Sequence, residues 1–200
     1  KITSRHQRGV IEAGGTETPV EVYSKAPNKR VSITHAAQGD SITAFDGAAG
    51  WMGNTGRPAR GMSPSESWAS SLDAEFHLPL RIKELFPQLR AGRPAQVNGF
   101  ECDTITANAP GRPPVRLFFD KETGLLMRMV RYADTPLGRN ITQVDYADFR
   151  KVDGIMLPFT SRMKVMGQER VVTVEQVEHN VTLPADRFAL PADIAALVKK

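Results

Sequence analysis

Four histidines, His6, His35, His77 and His179, are the residues from which metal or acid–base chemistry would have to be built. No two of them stand at the spacing of a metal-binding pair, and there is no His-Glu-x-x-His run. Each reads as a surface or partly packed side chain, and no metal is implied. The one cysteine, Cys102, has no partner for an intramolecular disulfide and excludes a cysteine-based zinc site or a c-type haem motif within this chain. It lies in an alternating segment and reads as a small buried hydrophobe. There is no Walker loop, no dinucleotide fingerprint and no Gly-x-Ser-x-Gly elbow, so the sequence implies no cofactor. Asp145 and Asp148 would serve acid–base work only if burial shifted them.

The remaining catalytic candidate is Ser41. Gly39-Asp40-Ser41-Ile42 superficially resembles the nucleophile block of the Gly-Asp-Ser-Leu hydrolases. Those enzymes also need an Asp-x-x-His near the C-terminus. Here the residue at that spacing before His179 is Gln176. A serine hydroxyl without a base is a weak nucleophile. Gly39-Asp40 therefore reads as a hairpin turn with Ser41 opening a strand. A serine hydrolase is the remote alternative, and the chain is expected not to be an enzyme.

A chain of 200 residues is long enough for one well-buried core, and one domain is expected. The 40% hydrophobic and 24% charged residues suit a folded soluble protein. No stretch approaches the ~18 apolar residues of a membrane span. The net charge is +4, but no run of Lys and Arg exceeds two, which argues against nucleic acid. A solvated basic surface, or a weak attraction to an anionic membrane, accounts for it. The chain opens at Lys1 without methionine or signal sequence and enters a strand almost at once. That predicts a processed or excised part of a longer precursor.

The elements that must position any site are mostly strands. Val20 and Val22 alternate with Glu21 and Tyr23, and Val31 and Ile33 alternate with polar neighbours. This period of two marks half-buried strands, separated at Gly14-Gly15, Ala26-Pro27-Asn28-Lys29 and Gly39-Asp40. Residues 53–67 read as a Gly/Pro-rich loop, either a plain connection or a lid at the mouth of a pocket. Ser63, Pro64 and Glu66 then predict a capped helix start, with Trp68, Leu72 and Phe76 as its apolar stripe. Pro79 is expected to break that helix near His77. A second helical piece, Leu80 to Leu85, ends before Pro87, so the helical insertion spans about 63–87. Strands resume from Ala95, with turns at Asn108 to Pro114, Asp120 to Gly124, Asp153-Gly154 and Gly167. Pro184 to Phe188 reads as one helical turn, Phe188 and Leu190 as a seal on the core, and Pro191 to Val198 as a terminal helix. The pattern gives roughly ten or eleven strands and two or three helices. The fold class is mainly β with an α insertion: a curled antiparallel sheet plugged by the helical piece.

Apolar binding capacity remains. Trp51, Met52, Trp68, Leu72 and Phe76 gather in and around the helical insertion, and Met127, Met129, Met156, Met163 and Met166 add adaptable side chains on later strands. They read either as ordinary core or as the wall of an incompletely filled cavity for acyl chains.

Leu117-Phe118-Phe119-Asp120-Lys121-Glu122-Thr123-Gly124-Leu125-Leu126 resembles the central hairpin of the outer-membrane lipoprotein-sorting proteins, the LolA-like superfamily. The run from Tyr146 to Pro158 and the closing Phe188-Ala189-Leu190-Pro191 resemble it too, so the match is best over residues 115–191. The resemblance implies an incomplete β-barrel of about eleven antiparallel strands covered by helices. It implies a non-enzymatic carrier of lipid or lipoprotein acyl chains in the periplasm or cell envelope of a Gram-negative-type bacterium. The expected cavity liners are Trp51, Met52, Trp68, Leu72, Phe76, Leu117, Phe119, Met127, Met129 and Met163. An envelope membrane protein is a further expected partner, and a monomer is favoured. The alternative is a structural or interaction module appended to a larger envelope or electron-transfer protein.

Overall fold

The computed structural model describes residues 1–135, 138–189 and 191. Leu190, and the expected terminal helix over Pro191 to Val198 beyond its first residue, lie outside them. The chain divides into two compact units, Lys1–Leu78 with Val174–Lys200, and Pro79–Thr173.

The first unit is a meander of β1 (Ser4–Ala13), β2 (Thr16–Lys25), β3 (Lys29–Ala36), β4 (Gly39–Phe45), β5 (Gly50–Asn54) and β6 (Arg57–Gly61). It is followed by helix α1 (Pro64–Ala74). After α2 (Leu78–Leu85) the second unit contains β7 (Gln88–Ala91), β8 (Ala95–Val97), β9 (Phe100–Asn108), β10 (Val115–Asp120), β11 (Leu126–Thr135), β12 (Gly138–Val152) and β13 (Ile155–Val165). Strand β14 (Gln168–His179) runs through both, and a 3-10 turn, Ala185–Phe188, closes the described chain. The hydrogen-bonded order is β6-β5-β4-β3-β2-β1-β14 and then β13-β12-β11-β10-β9-β7, with β8 also on β9. Every resolved pairing is antiparallel, and the order ends at β6 and β7, so the sheet is not closed into a barrel.

The mainly β class with a helical insertion holds. Among the described residues fourteen strands form rather than about eleven. The extra ones are short. The stretch 53–67, expected as a loop, holds the hairpin β5–β6 instead, turning at Thr55-Gly56 with Gly56 at φ +76°. Pro58 is compatible with strand geometry there because β6 is an edge and needs no donor on its free side. Strands β7 and β8 are four and three residues long, too short to show a period in sequence.

Helix α1 starts where Ser63, Pro64 and Glu66 place it. The Ser63 hydroxyl accepts from the Glu66 N–H at 3.3 Å, and the Glu66 carboxylate accepts from the Ser63 N–H at 2.8 Å. It ends at Ala74, before the expected break near His77, because the Phe76 N–H donates out of the helix to the Pro27 carbonyl at 3.0 Å. Pro79 then sits in the first turn of α2, where its missing donor costs nothing. Ser63→Ala is expected to cost about 1 kcal/mol in denaturant unfolding. Glu66 also takes a bidentate pair from Arg60, at 2.7 and 2.9 Å. The Arg60 guanidinium, helped by Ser63 and opposed by burial, holds the Glu66 carboxyl down at about 2. A depressed carboxylate stabilises above its unfolded value and loses that contribution as pH falls through its folded one. The stability gap between the protein and Glu66→Gln is therefore expected to be constant above about pH 5 and to shrink toward pH 2. It should stay below ~1 kcal/mol, because the pair is more than a third exposed.

Two-residue turns link several strands. Asn98-Gly99, Asp153-Gly154 and Met166-Gly167 all take positive φ at both positions. Such turns match the twist of the flanking strands and favour Asn, Asp or Gly at the first position. Met166, at φ +49°, is the exception, at a cost of roughly 1 kcal/mol.

Candidate functional site

Cross-strand partners share a face of an antiparallel sheet, so the register assigns each candidate side chain to a side. In the second unit one row runs Ile105, Leu117, Met129, Val144, Met163, Arg170 across β9 to β14. Leu117 and Met129 are each 1% exposed and Val144 5%. Met163 is half-buried and, with Val165, Gln168 and Arg170, borders a hollow of about 90 Å³. Three expected liners, Leu117, Met129 and Met163, thus stand on one face. Phe119, half-buried, shares the β10 side of Leu117. Met127 does not join them. A register shift between Phe118 and Phe119 turns it into the cluster of Val97, Cys102, Phe118 and Val130.

In the first unit the pleat of β5 separates Trp51 from Met52. Trp51 lies in the row His6, Tyr23, Val31, Ala44 and packs with Phe188 of the closing turn. Met52 lies opposite, beside Arg60, whose Nη2 reaches its sulfur at 3.3 Å. Helix α1 packs on β3, β4 and β5, and Arg60 ties it to the Met52 face through Glu66. On α1, Leu72 is buried and Trp68 half-buried. Phe76 follows the helix, under the Arg5 guanidinium at 4.8 Å. Burial there lowers Arg5 to about 10. The ten residues therefore form separate groups: Trp51 with Phe188, Met52 linked to α1 through Arg60 and Glu66, Leu117, Phe119, Met129 and Met163 together, and Met127 apart.

The catalytic candidates are held in structural contacts. Ser41 pairs with Thr34 and Asn54, whereas His35 pairs with Asp40 on the other face, their side chains 2.9 Å apart. The pleat thus turns the serine away from the imidazole on the adjacent strand. Glu21 lies between His6 at 3.5 Å and His35 at 3.8 Å and accepts from the Tyr23 hydroxyl at 2.9 Å. Burial would raise its carboxyl, but Tyr23, His6, His35 and Arg8 outweigh that and hold it below its ordinary value. Asp145 is buried, as acid–base work would require, yet Arg128 grips it at 2.5 and 2.7 Å and Gln143 donates at 3.0 Å. Asp148 is exposed and paired with Arg150 at 2.6 Å. Burial raises the Cys102 thiol, with Asp120 adding to it, which disfavours the thiolate. Among the described residues no group of three His, Cys, Asp or Glu is placed to hold a metal, and no helix is long and apolar enough to cross a membrane.

No family model and no curated protein matches the sequence. Solved structures do. A LolA superfamily protein from Nitrosomonas europaea is 13% identical, with a TM-score of 0.65 over 95% of this chain and 90% of that one. A putative outer membrane lipoprotein-sorting protein domain from Vibrio parahaemolyticus is 10% identical, with a TM-score of 0.63 over 99% and 92%. The fold is LolA-like. A DUF1329 family protein from Desulfovibrio piger gives 15% identity and a TM-score of 0.65 over 94% and 90%. The hairpin strings behind the sequence resemblance are turns in this LolA-like fold. Asp120 accepts from the Thr123 N–H at 3.1 Å and from its hydroxyl, closing the loop between β10 and β11. Val144 reads in sequence as a packing residue of its strand, but neither it nor the half-buried Ile105 is among the expected liners, because only the register puts them beside Leu117 and Met129.

Proposed function

We propose that this chain is a non-catalytic binding protein of the cell envelope that shelters lipid or lipoprotein acyl chains. The observation that carries the reading is the apolar row Ile105–Leu117–Met129–Val144–Met163, which is buried at its centre and opens at Met163. The LolA-like fold, shared with a putative lipoprotein-sorting domain, supports it. The hollow of about 90 Å³ is smaller than the ~300 Å³ at which ligand pockets usually begin. An acyl chain would therefore enter by displacing side chains. Met129 and Met163 suit this, since their unbranched thioether chains repack at low cost. The role asks nothing of Ser41, Asp145 or Cys102.

Titration with a fluorescent fatty acid tests the proposal. The protein is expected to bind it, and Met163→Asp to weaken binding roughly tenfold or more by placing a carboxylate at the opening. A protein that takes up no fatty acid, and yields no lipid on solvent extraction, would sink the reading.

A further inference from the structure

The second unit has a basic surface with an exposed apolar tip. Residues 79–173 hold fifteen Lys and Arg against ten Asp and Glu, although the whole chain is only +4. At the turn between β13 and β14, Met166 is 73% exposed, and on β12 Ile141 is 54% exposed. Both border an open hollow of about 400 Å³, with Val165 between them and Lys164 on its wall. Met166 occupies a positive-φ position that favours Asn or Gly, so its side chain stands at the tip against local backbone preference. Neither residue contributes to the buried row. Around the tip stand Arg162, Lys164 and Arg170, and Glu169 pairs with Arg162 and Lys164.

We propose that this tip docks the protein onto an anionic phospholipid surface. Met166 and Ile141 enter the acyl boundary while Lys164, Arg162 and Arg170 meet the headgroup charge. Exposed apolar side chains ringed by excess positive charge are the chemistry of interfacial attachment, in which buried apolar area and attraction to anionic lipid add. An anionic bilayer offers both complements together, an apolar interior for the tip and a negative surface for the cations around it. The proposal does not depend on the chain carrying acyl chains.

The test is co-sedimentation of the whole chain with vesicles of phosphatidylcholine alone and of phosphatidylcholine with an equal part of phosphatidylglycerol. Binding is expected to the anionic vesicles only, falling as salt is raised. Met166→Asn is expected to lower the affinity roughly tenfold. Because Asn suits the turn, unfolding midpoints should show this variant at least as stable as the parent, so lost binding cannot be put down to misfolding. Lys164→Glu with Arg170→Glu should abolish the preference for anionic lipid. Equal binding to both vesicle types, no binding to either, or undiminished binding by Met166→Asn would overturn the proposal. So would a dimer in sedimentation equilibrium that Met166→Asn disperses, which would make the tip a contact between copies. Fatty-acid uptake is expected to survive in Met166→Asn, which separates this surface from the acyl-binding row.

Discussion

Asp145→Ala is expected to destabilise the second unit by about 3 kcal/mol, whereas Asp145→Leu combined with Arg128→Met should leave its stability nearly unchanged. Asp145 is 6% exposed and Arg128 is largely covered. Their bidentate contact lies on the Phe118 face, where the register sets Phe118, Arg128 and Asp145 side by side. The Arg128 guanidinium also approaches the Phe118 ring, at 5.9 Å. Removing the carboxylate alone leaves a cation and the Gln143 amide in poorly hydrated surroundings without their acceptor. Most of the cost is that uncompensated charge, not the loss of a favourable net interaction. Replacing both charges removes the desolvation penalty together with the attraction, which is why the double variant separates the two accounts. Urea unfolding of Asp145→Ala and of the double variant is the measurement. A double variant as unstable as Asp145→Ala would show that the pair is worth more than its burial costs.

Trp51→Ala is expected to cost about 4 kcal/mol, within the range for truncating a buried aromatic. Trp51 is 9% exposed and shares its cluster with Val31, Ala44 and Phe188. Phe188 comes from the closing 3-10 turn, some 137 positions later, and is 2% exposed. The same turn lays Arg187 over the Tyr23 ring at 4.5 Å. If Trp51 and Phe188 hold the turn to the sheet jointly, Phe188→Ala should cost about as much, and the double variant clearly less than the sum. Additive losses in the unfolding midpoints would mean that the turn does not depend on the tryptophan.

Local chemistry made much of the fold legible. A capping box, a proline at a helix start and a run of alternating residues act over a few positions. Ser63, Glu66 and the hairpin ending at Gly124 accordingly form as their neighbours require. The short strands were not legible. Four residues of β7 carry no detectable period, and the Gly/Pro content of 53–67 suits an edge hairpin as well as a loop. The end of α1 escaped for a different reason: the Phe76 N–H is taken by Pro27, distant in sequence.

The candidate site divides along the same line. Residue type alone determined a mainly β chain without a recognisable catalytic motif, rich in large apolar side chains that had to be buried. Which of those side chains meet was decided by register. A strand has a period of two, so a shift of one residue moves a side chain to the opposite face. That is why Trp51 and Met52, neighbours in the chain, serve different faces, and why one irregularity beside Phe119 takes Met127 away from Met129. It is also why Leu117, Met129, Val144 and Met163, scattered over 47 positions, form one row. Hydrophobicity specifies burial. Only the pairing of distant strands specifies company.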